Sequence, residues 1–164
     1  MNSRRRAQQD EIPLERLDNE VGVRWPDQLP RHPRPILGGD VPLTNLCAGI
    51  LAEQLSGCGA DAVAFRDVEL AALAHALASF LGIDRTVFVP PPESHSGETP
   101  TRTSARPKES NLLFLHGIIE DDNRVATDES LSGDAGKIVA RASLIANPEV
   151  ARRFHIHYVK PIPG

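Results

Sequence analysis

The sequence predicts an α+β fold: a helical pair packed with a small, mostly antiparallel sheet, preceded by an extended Pro-rich N-terminal arm. Three observations predict it. Apolar residues recur at helical spacing between positions 43 and 81, and apolar runs of strand length fill 111–159. Most of the 14 prolines stand in 1–42 and 90–110, where they exclude helix. Helices followed by strands, without regular alternation, is the pattern of an α+β domain.

The arm comes first. Residues 1–42 carry Pro13, Pro26, Pro30, Pro33, Pro35 and Pro42, with seven arginines balancing seven acidic residues. Each proline fixes its own φ and drives the preceding residue toward extended backbone. The run Pro30-Arg31-His32-Pro33-Arg34-Pro35 is therefore read as stiff and extended. The arm also holds Trp25, Leu29, Ile36 and Leu37, apolar anchors that a solvated tail would lack.

The second segment, 43–89, reads as two helices and a short strand. Leu43, Leu46, Cys47, Ile50, Leu51 and Leu55 share one helical stripe, with Pro42 suited to the first turn and Gly57 to the stop. Asp67 is a candidate cap for the next helix, whose stripe is Leu70, Leu73, Ala74, Leu77 and Leu81 before Gly82. Thr86-Val87-Phe88-Val89 is a strand cut off by three prolines. Residues 90–110 read as a Pro/Ser/Thr-rich loop.

The last segment is strand-rich. Asn111–Ile119 is apolar on both faces: Leu112, Phe114 and Ile118 are expected on one, Leu113, Leu115 and Ile119 on the other. Lys137–Ile145 alternates, with Ile138, Ala140, Ala142 and Leu144 on the apolar side. Asn147-Pro148-Glu149 starts a short helix, and Phe154–Val159 is the final strand. The domain division expected is thus an arm, 1–42, and a single α+β domain, 43–164.

Composition excludes several classes. The net charge of −4 is not that of a nucleic-acid coat. No apolar run approaches the roughly 18 residues of a membrane span, and no signal-like segment follows Arg4-Arg5-Arg6. Two cysteines, Cys47 and Cys58, make no disulfide framework, so a reducing, cytoplasmic setting is expected.

His155-Ile156-His157 is the sharpest local feature, because residues two apart in a strand share a face. With His116 they form a candidate transition-metal set of the kind that activates a water for hydrolysis. Against this, Phe154, Ile156 and Tyr158 look like the core side of that strand, leaving both histidines on its solvent face. Cys58, between Gly57 and Gly59, lacks a neighbouring base to form a thiolate. Glu120-Asp121-Asp122 and Asp128-Glu129 read as a solvated acidic loop. Arg4, Arg5 and Arg6 are candidate phosphate contacts, diluted at once by acidic residues.

No motif assembles an active site, so no cofactor is expected. The function expected is a non-catalytic accessory or structural subunit. It would dock into a larger protein assembly, or onto its own copies, through Trp25, Leu29, Ile36 and Leu37. The alternatives are a small metal-dependent hydrolase on the histidines and a nucleic-acid-associated subunit contacting backbone through its arginines.

Overall fold

The computed structural model describes residue 37 and residues 39–90, 110–130 and 135–162. The chain runs α1 (Val41–Leu55), β1 (Ala62–Phe65), a 3₁₀ turn (Val68–Leu70), α2 (Ala71–Leu81), β2 (Thr86–Phe88) and β3 (Asn111–Ile119). It continues with α3 (Asp122–Glu129), β4 (Lys137–Ala146), α4 (Pro148–Phe154) and β5 (Ile156–Pro161).

The five strands form one sheet in the order β2-β1-β3-β4-β5, and every neighbouring pair is parallel. This corrects the α+β expectation. The fold is α/β with an all-parallel sheet, not a mostly antiparallel one beside a helical pair. The cause is two elements that the hydrophobic pattern hid, β1 and α3. With them in place, strands and helices alternate from α1 to β2 and again from β3 to β5, and within those stretches each return crossing by a helix makes the next strand parallel.

Local signals act much as the sequence requires. Asp40 caps α1, its Oδ1 accepting from the Leu43 amide at 2.9 Å, and Pro42 sits in the first turn. Asp67 precedes the 3₁₀ turn without a side-chain capping bond. Gly82 closes α2 in the left-handed conformation, with its amide on the Ala78 and Ser79 carbonyls. Asn147 caps α4 by accepting from the Glu149 amide at 3.0 Å.

The main core lies between the sheet and α1 plus α2. Leu43, Cys47, Leu51, Leu73 and Leu77 pack there against Val63, Phe65, Leu113, Leu115 and Leu144. Leu37 belongs to the same cluster, so the core begins before residue 43. The opposite face divides into two groups. Ala62, Ala64, Leu112 and Phe114 form one; Ile119, Val125, Ala146, Val150 and Ile156 form the other, under α3 and α4.

Strict alternation fails along β3. Ile118 joins the main core with Leu113 and Leu115, while Ile119 faces α3 and α4. This reverses the sides expected for that pair. Between them the Gly117 carbonyl accepts from the Ser143 hydroxyl at 3.0 Å. In β4 the register shifts opposite Leu112 and Leu113, so Ile138 and Ala140 end in different clusters.

Candidate active site

Strand order reverses between β1 and β3: the chain winds outward to β2, then returns past β1 to β3 and continues the other way. In parallel sheets this switch point opens a crevice at the carboxyl ends of the strands, where ligands bind. A pocket of about 420 Å³ occupies this position. That volume suits a small molecule, since such sites span about 300–1,000 Å³.

Three elements wall it. The turn after β1 supplies Arg66, Asp67 and Leu70; β3 supplies Phe114 to Gly117; α3 supplies Arg124, Thr127 and Asp128. The Arg66 guanidinium donates through Nη1 to the Thr127 carbonyl oxygen, which ties the β1 turn to α3 without neutralising the charge. Arg124 Nε donates to Asp128 Oδ2 at 3.2 Å, an i,i+4 pair along α3.

Beneath these lies a buried ionic network centred on His116. Its Nδ1 stands 2.9 Å from Asp128 Oδ2 and its Nε2 stands 3.3 Å from Glu129 Oε1. Arg141 on β4 closes the other side of Glu129 with Nε at 2.6 Å and Nη2 at 3.2 Å. Burial pushes the Glu129 carboxyl upward. Hydrogen bonds and charge from His116 and Arg141 outweigh it and hold the group below its ordinary value of 4.5. The His116 ring also lies against Phe114, with centroids 4.7 Å apart.

The predicted metal set is not assembled. His116 is 1% exposed and both its nitrogens face carboxylates. His155 is not in a strand: it ends α4 with φ of 53° in the left-handed region, and β5 starts only at Ile156. His155 and His157 are exposed. Among the described residues no group of three His, Cys, Asp or Glu side chains is placed to hold a metal ion. Leu37 is buried in the main core. The other proposed anchors, Trp25, Leu29 and Ile36, lie outside the described residues, as do Arg4, Arg5 and Arg6. No helix among the described residues is long and apolar enough to cross a membrane.

Sequence reasoning missed Arg66, Arg124 and the joining of His116 to Asp128 and Glu129. It placed both carboxylates on a solvated loop. The readable signals were Arg124 and Asp128 at helical i,i+4 spacing, and Asp121 as a cap ahead of them.

No family model matches the sequence, and no curated protein does. Solved structures do match. Adenine phosphoribosyltransferase from Rhodothermus marinus superposes with a TM-score of 0.64 at 18% identity, over 93% of this chain and 99% of that one. The enzyme of the same name from Thermoanaerobacter pseudethanolicus gives 0.60 at 17%, over 78% and 84%. Orotate phosphoribosyltransferase from Aeropyrum pernix gives 0.56 at 16%, over 79% and 76%. These matches overturn the reading as a non-catalytic accessory subunit. That reading rested on the lack of a recognisable site, whereas the chain shares the architecture of a group of enzymes and has a charged pocket at the carboxyl edge of its sheet. At these identities the likeness is one of fold: this chain carries the parallel α/β fold of the phosphoribosyltransferases.

Proposed function

We propose that this chain is an enzyme that binds a phosphate-bearing ribose substrate over β1 and β3 and transfers its phosphoribosyl group. The observation that carries the reading is the charged pocket at the switch point, with Arg66 and Arg124 in its wall. Guanidinium groups are the side chains best shaped for phosphate oxygens. The transfer breaks the bond from the anomeric carbon to a leaving anion and forms one to the acceptor. Positive charge develops at that carbon, and the Asp128 carboxylate at the pocket wall is suited to stabilise it.

The turn after β3 is unsuited to the phosphate. Glu120, Asp121 and Asp122 crowd it, and the Asp121 carboxylate already caps the α3 N-terminus, accepting from the Arg124 amide at 2.9 Å. A helix end occupied by its own carboxylate no longer attracts an anion. This supports a reading in which the arginines take the phosphate. Two free thiols, one in the core, suit a reducing cytoplasm.

Calorimetric titration with ribose 5-phosphate tests binding. Product formation from 5-phosphoribosyl diphosphate and a panel of nucleobases, with magnesium as counter-ion of the diphosphate, tests transfer. Arg66→Ala should weaken binding by a factor of about ten or more, as loss of a charged hydrogen-bond donor does. A folded protein that neither binds ribose 5-phosphate nor consumes the diphosphate overturns the reading.

A further inference from the structure

We infer that His116 is a positioning residue: by engaging Asp128 and Glu129 through its two ring nitrogens, it fixes α3 to the sheet and so sets where Arg124 stands in the pocket. The Arg124 part rests on the reading of the pocket as an anion site.

The argument starts from the composition of α3. Its sequence, Asp-Asn-Arg-Val-Ala-Thr-Asp-Glu, has one large apolar residue, Val125, which is 1% exposed and packs against Ile119, Ala146 and α4. A single valine is a small anchor for a helix, because burying it contributes only about 1.5–3 kcal/mol. What else ties α3 down is polar. Thr127 accepts from Arg66, Asp128 accepts from His116, and Glu129 accepts from His116 and Arg141.

His116 is the middle of this chain of contacts. From α3 it faces Asp128 and Glu129, with Arg124 on the far side of Asp128. From β4 the facing groups are Arg141, through Glu129, and Ser143, its register partner. Phe114 packs on the ring from its own strand. Ionised carboxylates only accept, so the ring serves both only when it carries both protons. A ring with one proton gives up one of these two bonds and leaves that carboxylate to its arginine, Arg124 for Asp128 or Arg141 for Glu129. Arg124 reads the same state through Asp128. Affinity for an anion should therefore fall when the contacts of His116 with α3 are lost.

The test uses the full chain and inorganic sulfate, a dianion that does not itself titrate near neutral pH. Amide exchange across 122–129 reads how firmly α3 is held. In His116→Gln, whose donors both sit on one nitrogen and cannot reproduce the two-sided reach of the ring, exchange in α3 should rise by a factor of about ten while α1 and α2 are unchanged. Sulfate affinity should be lower in the variant than in the unaltered protein. Should His116→Gln fail to fold, Glu129→Gln tests the same link and should show the same loosening to a smaller degree. Unchanged α3 exchange in both variants overturns the inference, as does loosening spread equally over all helices. A protein that binds no sulfate in its unaltered form defeats the pocket reading instead, and the exchange data still decide whether His116 holds α3.

Discussion

Gly136 passes so close to Ser110 that a Cβ on it would stand 2.2 Å from the Ser110 carbonyl oxygen. That oxygen accepts from the Lys137 amide at 2.8 Å and so starts the pairing of β3 with β4. Gly136 also has φ of +145°, a conformation side chains rarely adopt. Gly136→Ala should thus cost about 3 kcal/mol or more, combining strain with a displaced strand start. Gly57, with φ of +77° and open space around it, is the control, and its alanine variant should lose only about 1–2 kcal/mol. Urea unfolding of both variants separates the two costs.

Leu77 is fully buried on α2 in the main core. Leu77→Ala should destabilise the fold by roughly 2–5 kcal/mol, the range for leucine truncations in packed interiors. A loss below about 0.5 kcal/mol in the same unfolding measurement would be that of an exposed site and would contradict this packing.

The two thiols should behave differently. Burial pushes the Cys47 thiol up from its ordinary value of 9.0 to about 12. Cys58 is half-buried between two left-handed glycines. An aromatic disulfide reagent should modify Cys58 in the folded protein and Cys47 only on unfolding. Because Cys47 holds its proton more tightly when folded, the unfolded state loses that proton first as pH rises. Stability should therefore decline above about pH 9, and Cys47→Ala should remove that component of the decline.

Glu129 works with the opposite sign. Its folded value lies below the ordinary carboxylate value, so its contribution is complete at neutral pH and is lost as pH falls through the folded value. Denaturation midpoints measured down a pH series should drop in acid. Glu129→Gln should be less stable at neutral pH and should flatten that acid limb.

Much of the secondary structure was legible, because α1, α2, β3 and β4 carry enough apolar residues to display their period. β1 was not. Ala-Val-Ala-Phe is four residues long and half alanine, which gives little strand signal. Its neighbours on both sides, β2 and β3, bury it. α3 was hidden for the reverse reason: it is held by charge, so a search for apolar periodicity finds only Val125. Losing those two elements hid the strand–helix alternation, and with it the parallel sheet and the switch point. The site shared that fate. Arg66 stands at the end of the missed strand, and Arg124, Asp128 and Glu129 stand on the missed helix. His116 stands out in the sequence for its chemistry, but the histidines expected beside it lie elsewhere in the fold. Its carboxylate partners lie 12 and 13 positions away. Only the turn between β3 and α3 brings that spacing together.

The wholly parallel sheet also bears on how fast this chain can reach its native state. Among the described residues no strand pair is closed by a hairpin, and Asp61 meets Asn111 across 50 positions of sequence. Contacts of that separation reward the chain only after a long segment has lost its freedom, which raises contact order and slows folding. The most local unit is β4 with α4 and β5, joined by nothing longer than Asn147 to His155. Nucleation is expected there, with β1 slotting between β2 and β3 late. Substitutions at Val150 or Ile156 should then slow refolding, whereas those at Val63 should chiefly speed unfolding.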